Sequence, residues 1–113
     1  MREPYEQEQA DLNPNRVEEE RHARVEAEYR LHERGIEMRR GDTDEEVAEL
    51  LEAIERFETA VEAKGGDLFV NRVGATQPER PEFVPPTRET SEGAADYARR
   101  IDSAAGRLRG RQA

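Results

Sequence analysis

The sequence predicts an all-α fold in which two to three helices are joined by an extended, proline-containing connection. Charged residues make up 40% of the 113 residues, and most of them are glutamate and arginine, which favour helices. Four of the six prolines fall within residues 77–86, where they exclude a helix. The length allows one domain, and no apolar run is long enough for a signal peptide or a membrane span.

The chain is expected to divide into a short arm and one helical domain. Residues 1–14 contain Pro4 and Pro14 and show little periodicity, which predicts an irregular N-terminal arm. The remaining residues, 15–113, are expected to form a single small domain. Its predicted elements are helices at about residues 15–40, 43–64 and 91–109 and an extended connection over residues 67–86.

The first predicted helix, residues 15–40, has a thin apolar pattern. Its apolar residues form two narrow stripes on nearly opposite sides. One stripe contains Val25, Tyr29, His32 and Ile36, and the other contains Ala27, Leu31 and Met38. Contact with neighbours on two sides is therefore expected. Gly35 weakens this helix by roughly 1 kcal/mol relative to alanine, and Gly41 is its predicted stop.

The second predicted helix, residues 43–64, has the clearest signals. It opens with the sequence TDEE, Thr43–Glu46, which is a capping box with acidic residues in the first turn. Gly65 and Gly66 end it. A helical period places six large apolar residues on one face, namely Val47, Leu50, Leu51, Ile54, Phe57 and Val61. This face should supply half of the core.

The third predicted helix, residues 91–109, has an apolar stripe that is rich in small side chains. The stripe consists of Ala94, Tyr97, Ala98, Ile101, Ala104, Ala105 and Leu108. Small side chains permit a second helix to approach closely. The second and third helices are therefore expected to pack through their stripes.

Residues 67–86 contain two of the three phenylalanines, Phe69 and Phe83, in a part of the chain where a helix is not expected. The run DLFVNRV is rich in β-branched and apolar residues, and the prolines that follow favour an extended path. The segment is then a strap whose phenylalanines complete the core, a docking segment that binds another protein, or a simple linker.

The chain is short of residues that could form a core. Leu, Ile, Val and Phe number 19 of 113, about 17%, and the formal net charge is −9. Few large side chains are therefore available to offset about 1–2 kcal/mol of backbone entropy per ordered residue. Oligomerisation or docking on a partner protein is expected to compensate. The candidate partner-binding residues come from the two-sided first helix and from the connection, and they are Tyr29, Ile36, Phe69, Phe83 and Val84.

The sign of the charge changes along the chain. Residues 42–62 carry nine acidic groups against Arg56 alone, and residues 97–113 carry five arginines against Asp102. These runs are solvated helix faces, or the basic C-terminus lies against the acidic helix, within the chain or across a dimer. Arginine outnumbers lysine 17 to one, which indicates a GC-rich coding sequence of bacterial or phage type.

Few residues are suited to catalysis or metal binding. Cysteine is absent, and the spacings of phosphate loops and hydrolase motifs do not occur. Glu19 and His22 match the Glu-x-x-His spacing of carboxylate di-iron helical bundles, but His32 lies about 80° from His22 around the helix, too far to share one metal. The further carboxylates considered for such a site are Glu49, Glu52 and Glu62.

The composition also argues against nucleic acid as a partner. The C-terminal arginines Arg107, Arg109 and Arg111 lack interleaved aromatic residues, and a chain of charge −9 is repelled by phosphates. We therefore expect a non-catalytic protein–protein interaction or assembly subunit, cytoplasmic or in a virion, with no cofactor, membrane or small-molecule substrate. Two alternatives are a ferritin-like carboxylate metal-binding protein and an acidic antitoxin whose extended segment binds a basic toxin.

Overall fold

The structure is a computed structural model that describes the backbone of residues 14–110 and the side chains of residues 18–110. Within those residues the regular secondary structure is helical and there is no strand, which confirms the all-α prediction. The elements in chain order are α1 (Pro14–Glu33), α2 (Asp44–Ala63), one turn of 3-10 helix (Pro81–Phe83) and α3 (Ala94–Gly110). The predicted N-terminal arm lies outside the described residues except for Pro14.

Helix α1 ends at Glu33, whereas the sequence analysis placed the stop at Gly41. Gly35 has a φ of +83°, in the left-handed region that glycine adopts without strain. The amide of Ile36 donates to the carbonyl of Leu31 at 2.9 Å, which satisfies one of the last carbonyl groups of the helix. The prediction of a helix up to residue 40 is therefore wrong, because the earlier glycine turns the chain.

One apolar stripe of α1 faces the core and the other faces away from it. Ala27 and Leu31 are buried, and Leu31 is completely inaccessible. Val25 and Tyr29 lie on the opposite side and are 57% and 60% exposed. Ile36, which the sequence analysis assigned to the same stripe as Tyr29, lies beyond the end of the helix and is buried. We refer to Val25 and Tyr29 as the outer stripe.

Helix α2 lies at the centre of the core, and its start has the predicted capping box. The Thr43 hydroxyl accepts from the Glu46 amide at 3.1 Å, and the Glu46 carboxylate accepts from the Thr43 amide at 2.9 Å. The six large apolar residues predicted for its inner face are all buried. Ala53 and Ala60 are buried with them, so the core face is wider than the large residues alone suggest.

Helix α3 begins at Ala94, a few residues after the predicted start. Six of the seven residues of its predicted stripe are buried and Ala104 is partly buried, so α3 packs on the core through that stripe. The Tyr97 hydroxyl donates to the carbonyl of Pro86 at 2.7 Å. Burial of this phenol raises the pKa of Tyr97 to about 12.

Ion pairs show that α1 and α2 run parallel to one another. Arg24 in α1 pairs with Asp44 at the start of α2, at 2.6 Å. Arg34, just after the end of α1, pairs with Glu58 near the end of α2, at 2.7 Å. Because Arg24 lies level with the first residue of α2, the part of α1 that precedes it extends beyond α2. Residues 18–23 of this extension are exposed.

Helix α3 also runs parallel to α2. Arg88, before the start of α3, pairs with Asp42, before the start of α2, at 2.8 Å, and both side chains are almost completely buried. Further along, Arg56 pairs with Asp102 at 2.9 Å. This second pair joins the arginine of the acidic helix to the acid of the basic helix. The charge runs suggested that arginines of α3 lie against glutamates of α2. In this pair the arginine belongs to α2 and the carboxylate to α3, which is the reverse.

Parallel helices require connections that run back along them, and residues 64–93 form the longer of the two. The residues predicted to be extended, 68–73, form hydrogen-bonded turns instead, and the prolines allow the 3-10 turn that ends at Phe83. Phe83 is buried, with only 4% of its surface exposed, and a methyl group added at Gly66 would lie 2.9 Å from its ring. Phe83 thus fills the core from this connection, whereas Phe69, which the strap interpretation also placed in the core, is exposed.

Arginine side chains fasten the end of this connection to the helices. Arg39 donates from its two terminal nitrogens to the carbonyls of Thr90 and Glu89, each at 2.9 Å. Arg100 binds both carboxylate oxygens of Glu92, at 2.6 and 2.7 Å. The hydrogen bond from Arg100 is the main reason that the pKa of Glu92 falls to about 2. The Arg39 side chain thereby binds backbone carbonyls of the connection that accept no hydrogen bond within a helix.

Candidate protein-binding surface

A fixed turn carries the most exposed phenylalanine of the protein. The carboxylate of Asp67 accepts from the amide of Phe69 at 2.8 Å, which is an Asx turn, and the carbonyl of Asp67 accepts from the amide of Asn71 at 3.1 Å. Phe69 is 85% exposed, whereas the other two phenylalanines are almost completely buried. Its neighbour Val70 is 39% exposed. We call residues 67–71 the Phe69 turn.

Asn71 holds the Phe69 turn in place. Only 3% of the residue is exposed, and its side-chain amide group donates to the Asp67 carbonyl at 2.7 Å and to the Glu79 carboxylate at 2.9 Å. The Asn71 side-chain oxygen accepts from the Glu79 amide at 2.9 Å, so the two residues bind each other twice. The Glu79 carboxylate also accepts from the Asp67 amide, at 2.8 Å. The backbone that carries Phe69 is therefore held at both ends.

The Phe69 turn forms one wall of an apolar cleft with a volume of about 330 Å³. Leu68 and Val73 are partly buried and pack against the core beside it. The apolar lining residues are Ile54, Phe57, Val61, Leu68, Phe69, Val73, Phe83 and Pro85. A volume of this size lies near the lower end of pockets that accept small molecules, roughly 300–1,000 Å³, so the cleft can accept an apolar side chain of a partner.

The charged residues at the rim of the cleft are balanced in number and partly paired. Arg34 binds both carboxylate oxygens of Glu58, at 2.7 and 3.2 Å, and this hydrogen bonding raises the pKa of the guanidinium. Arg72 donates to the carbonyl of Glu33 at 2.7 Å. The rim thus has two guanidinium groups and two carboxylates around an apolar interior. It carries no excess of the negative charge that dominates the chain.

The outer stripe of α1 lies close to this cleft. Tyr29 precedes Glu33 by about one helical turn, and the Glu33 carbonyl is the atom that Arg72 binds. Tyr29 therefore lies about one helical turn from Glu33, a residue of the cleft rim, and Val25 lies about one further turn along α1. Val25, Tyr29 and the Phe69 turn supply the large apolar side chains that remain exposed among the described residues.

The five residues predicted to bind a partner occupy different environments. Phe69 and Tyr29 are exposed, and Val84 is half-buried. Phe83 and Ile36 belong to the core and are 4% and 3% exposed, so neither presents its side chain at the surface. Partner binding by these residues stays a prediction, and the accessible members of the set are Phe69 and Tyr29. The sequence analysis missed Asn71 and Glu79, although Asp67 two residues before Phe69 is a recognisable Asx-turn signal.

The residues considered for metal binding do not converge in the described part of the chain. Glu19 and His22 are exposed on the extension of α1. The imidazole of His32 instead contacts the carboxylate of Glu37. Residues 18–110 contain no group of three or more His, Cys, Asp or Glu side chains arranged to hold a metal ion. The carboxylates Glu49, Glu52 and Glu62 are exposed.

The basic residues near the C-terminus are exposed as well. Arg107 and Arg109 lie on the solvent side of α3, and Arg111 is outside the described residues. None of the helices in the described part is both long and apolar enough to cross a membrane. Comparisons with models of protein families, with curated proteins and with solved structures found no match for the chain.

Proposed function

We propose that this protein is a non-catalytic interaction or assembly subunit that binds another protein chain through the Phe69 turn and the adjoining outer stripe of α1. The observation that carries the proposal is the 85% exposure of Phe69 on a backbone that hydrogen bonds hold in place. A side chain that is already fixed in an accessible position loses little conformational freedom when a partner binds it.

The composition makes this exposure informative. Single exposed apolar residues are common on protein surfaces and need no explanation. Here the chain has only 19 Leu, Ile, Val and Phe residues for its core. Burial of one phenylalanine contributes roughly 1.5–3 kcal/mol, so leaving Phe69 in solvent gives up a large fraction of the available stabilisation. A binding role for Phe69 would recover that free energy in the complex.

The surroundings of Phe69 have the features of an interface centre. Aromatic anchors at such centres are ringed by polar residues that exclude water from the contact. The cleft and the outer stripe supply apolar surface beside Phe69, and Arg34, Glu58 and Arg72 supply the polar rim. Tyr29 adds an amphipathic side chain of the type that is enriched in interfaces.

The proposal is tested with the variants Phe69→Ser and Tyr29→Ser, and with Glu52→Gln on the exposed face of α2 as the control. Tagged protein is used to capture partners, including untagged copies of itself, and bound chains are quantified by mass spectrometry. We expect the serine variants to melt like the wild-type protein and to lose a stoichiometric partner that the control retains. Identical sets and amounts of bound chains for all four proteins would contradict the proposed function.

A further inference from the structure

We propose that the chain that binds this surface is a second copy of the same protein, with Phe69 of each copy inserted into the cleft of the other. This inference rests on the proposed function and specifies its partner. A dimer with two-fold symmetry uses the same patch on both subunits, so the patch has to be complementary to itself. The Phe69 turn meets this requirement, because a protruding ring and an apolar cleft lie side by side on it.

The cleft is large enough for an aromatic ring. Phe69 protrudes with 85% of its surface exposed, and the cleft beside it has a volume of about 330 Å³ and an apolar interior. Within one chain Phe69 lines the lip of its own cleft, where the Asx turn and the buried Asn71 fix the backbone, and the ring leaves the cleft unfilled. A second copy has the same ring in a position from which it can enter, and the exchange fills both clefts at once.

The charges at the rim permit contact between two copies, although the whole chain carries −9. The carboxylate of Glu33 is exposed, and Arg72 uses one guanidinium N–H on a carbonyl and has further donors free. In a symmetric contact, Arg72 of each copy can bind Glu33 of the other, which gives two ion pairs around two buried rings. The local charge complementarity thus offsets the general repulsion between acidic chains.

The apolar area of the contact predicts a weak dimer. A buried phenylalanine removes about 150–250 Å² from water, so two exchanged rings account for roughly 300–500 Å². Stable interfaces bury about 1,200–2,000 Å² in total. The two rings alone fall well below this range, and the exposed Val70, Val25 and Tyr29 would have to supply further contact area. Self-association should therefore depend strongly on protein concentration.

The chain contains no tryptophan, so Phe69→Trp introduces a single fluorescent reporter into the proposed contact. We expect its emission to shift to shorter wavelength as the protein concentration rises from about 10 µM to about 1 mM, a range in which weak complexes form. Tyr29→Trp is the matched reporter on the outer stripe. A shift for Tyr29→Trp but not for Phe69→Trp would place the contact on α1 and overturn the exchange of rings.

Sedimentation equilibrium on tryptophan-free variants gives an independent measurement. Phe69→Ala should weaken self-association by about thirtyfold or more, the effect of removing an interface hot spot. Arg72→Glu and Glu33→Arg should each weaken it, and the double variant Arg72→Glu/Glu33→Arg should recover most of the loss. Because Arg72 and Glu33 are also neighbours within one chain, the two single variants are mixed as well: they carry like charges within each copy and opposite charges across the contact, so association of the mixture requires the two side chains to meet across the dimer.

The outcomes separate this inference from the proposed function. A wild-type protein that stays monomeric up to about 1 mM overturns the second-copy proposal, and so does a dimer that Phe69→Ala leaves unchanged. If Phe69→Ser still abolishes capture of a different protein, the proposed function stands and only the identity of the partner is wrong. If the protein stays monomeric and Phe69→Ser leaves all captured chains unchanged, both are wrong.

Discussion

Replacement of Phe83 by alanine is expected to destabilise the protein by about 3–5 kcal/mol. Phe83 comes from the long connection and is 4% exposed. Its ring packs so closely on the turn after α2 that a Cβ atom placed on Gly66 would lie 2.9 and 3.0 Å from two of its carbon atoms. Truncation to alanine therefore removes the side chain that fills this end of the core and leaves a cavity next to Val61.

The magnitude follows from the buried area. A phenylalanine buries about 150–250 Å². At about 25 cal/mol per Å² the whole residue corresponds to roughly 4–6 kcal/mol; the side chain accounts for roughly 1.5–3 kcal/mol of this, and the cavity that alanine leaves raises the expected loss to about 3–5 kcal/mol. A loss of 3 kcal/mol is large for a domain whose whole stability is on the order of 5–15 kcal/mol. It should lower Tm by more than about 10 °C, since 1 kcal/mol corresponds to about 4–8 °C in a domain of this size.

Phe69→Ala is the matched control, because it makes the same chemical change in the same connection at a side chain that is 85% exposed. Urea denaturation followed by far-UV circular dichroism gives the unfolding free energy of both variants at equal protein concentration. We expect Phe69→Ala to stay within about 0.5 kcal/mol of the wild-type value. The reasoning would be refuted by a Phe83→Ala loss below about 1 kcal/mol, or by equal losses in the two variants.

Three further predictions concern the contacts around the connection. Gly66→Ala should lower the unfolding free energy measured by urea denaturation by about 1–3 kcal/mol, because the new methyl group would lie 2.5 Å from a methyl group of Val61. An unchanged unfolding free energy would mean that the turn relaxes freely. The pKa of Glu92 is lowered from 4.5 to about 2, so its carboxylate adds stability above pH 4.5 that is lost as the pH falls towards 2. Glu92→Gln should therefore make the unfolding free energy fall less steeply with pH on the acid side. Parallel curves of unfolding free energy against pH for the two proteins would contradict this prediction. Arg39→Lys should lower the unfolding free energy by about 1–3 kcal/mol, because an ammonium group cannot reproduce a guanidinium that binds the carbonyls of three residues. Arg40→Lys, at the exposed neighbouring residue, should leave the unfolding free energy unchanged, and equal effects of the two substitutions would contradict this prediction.

The accuracy of the sequence analysis depended on how local each signal was. Helix α2 was predicted correctly in extent and in its buried face because its cap, its apolar period and its glycine stop all lie within the helix itself. Helix α1 has no such agreement between signals. Gly35 and Gly41 are both plausible stops from sequence, and the one that acts is the one that lets Ile36 turn into the core. That choice depends on tertiary packing, which local propensity does not contain.

The candidate site shows the same division. Phe69 and Phe83 both lie outside the α-helices, in segments where a helix was not expected, so nothing local distinguishes the ring that enters the core from the ring that stays in solvent. The backbone of the exposed ring is held by Asn71 and Glu79, which are eight residues apart: the Asn71 side chain donates to the Glu79 carboxylate and accepts from the Glu79 amide. A sequence pattern can suggest the Asx turn at Asp67. It does not show that Glu79, from a second segment, holds that turn through hydrogen bonds to Asp67 and Asn71.

The parallel arrangement of the helices explains why scarce apolar residues and most of the prolines lie between α2 and α3. A helix of 20 residues is about 30 Å long, and a parallel successor obliges the chain to travel that distance back before it can begin again. The returning backbone has only isolated turns and one turn of 3-10 helix, so many of its carbonyls need other donors. Arg39 supplies them to Thr90 and Glu89, and Phe83 fixes the path by filling the core from outside the helices. A guanidinium offers five donors in a planar fork, whereas a lysine offers three on one atom. The preference for arginine over lysine therefore suits a fold in which a long connection runs back beside a helix and its carbonyls need donors.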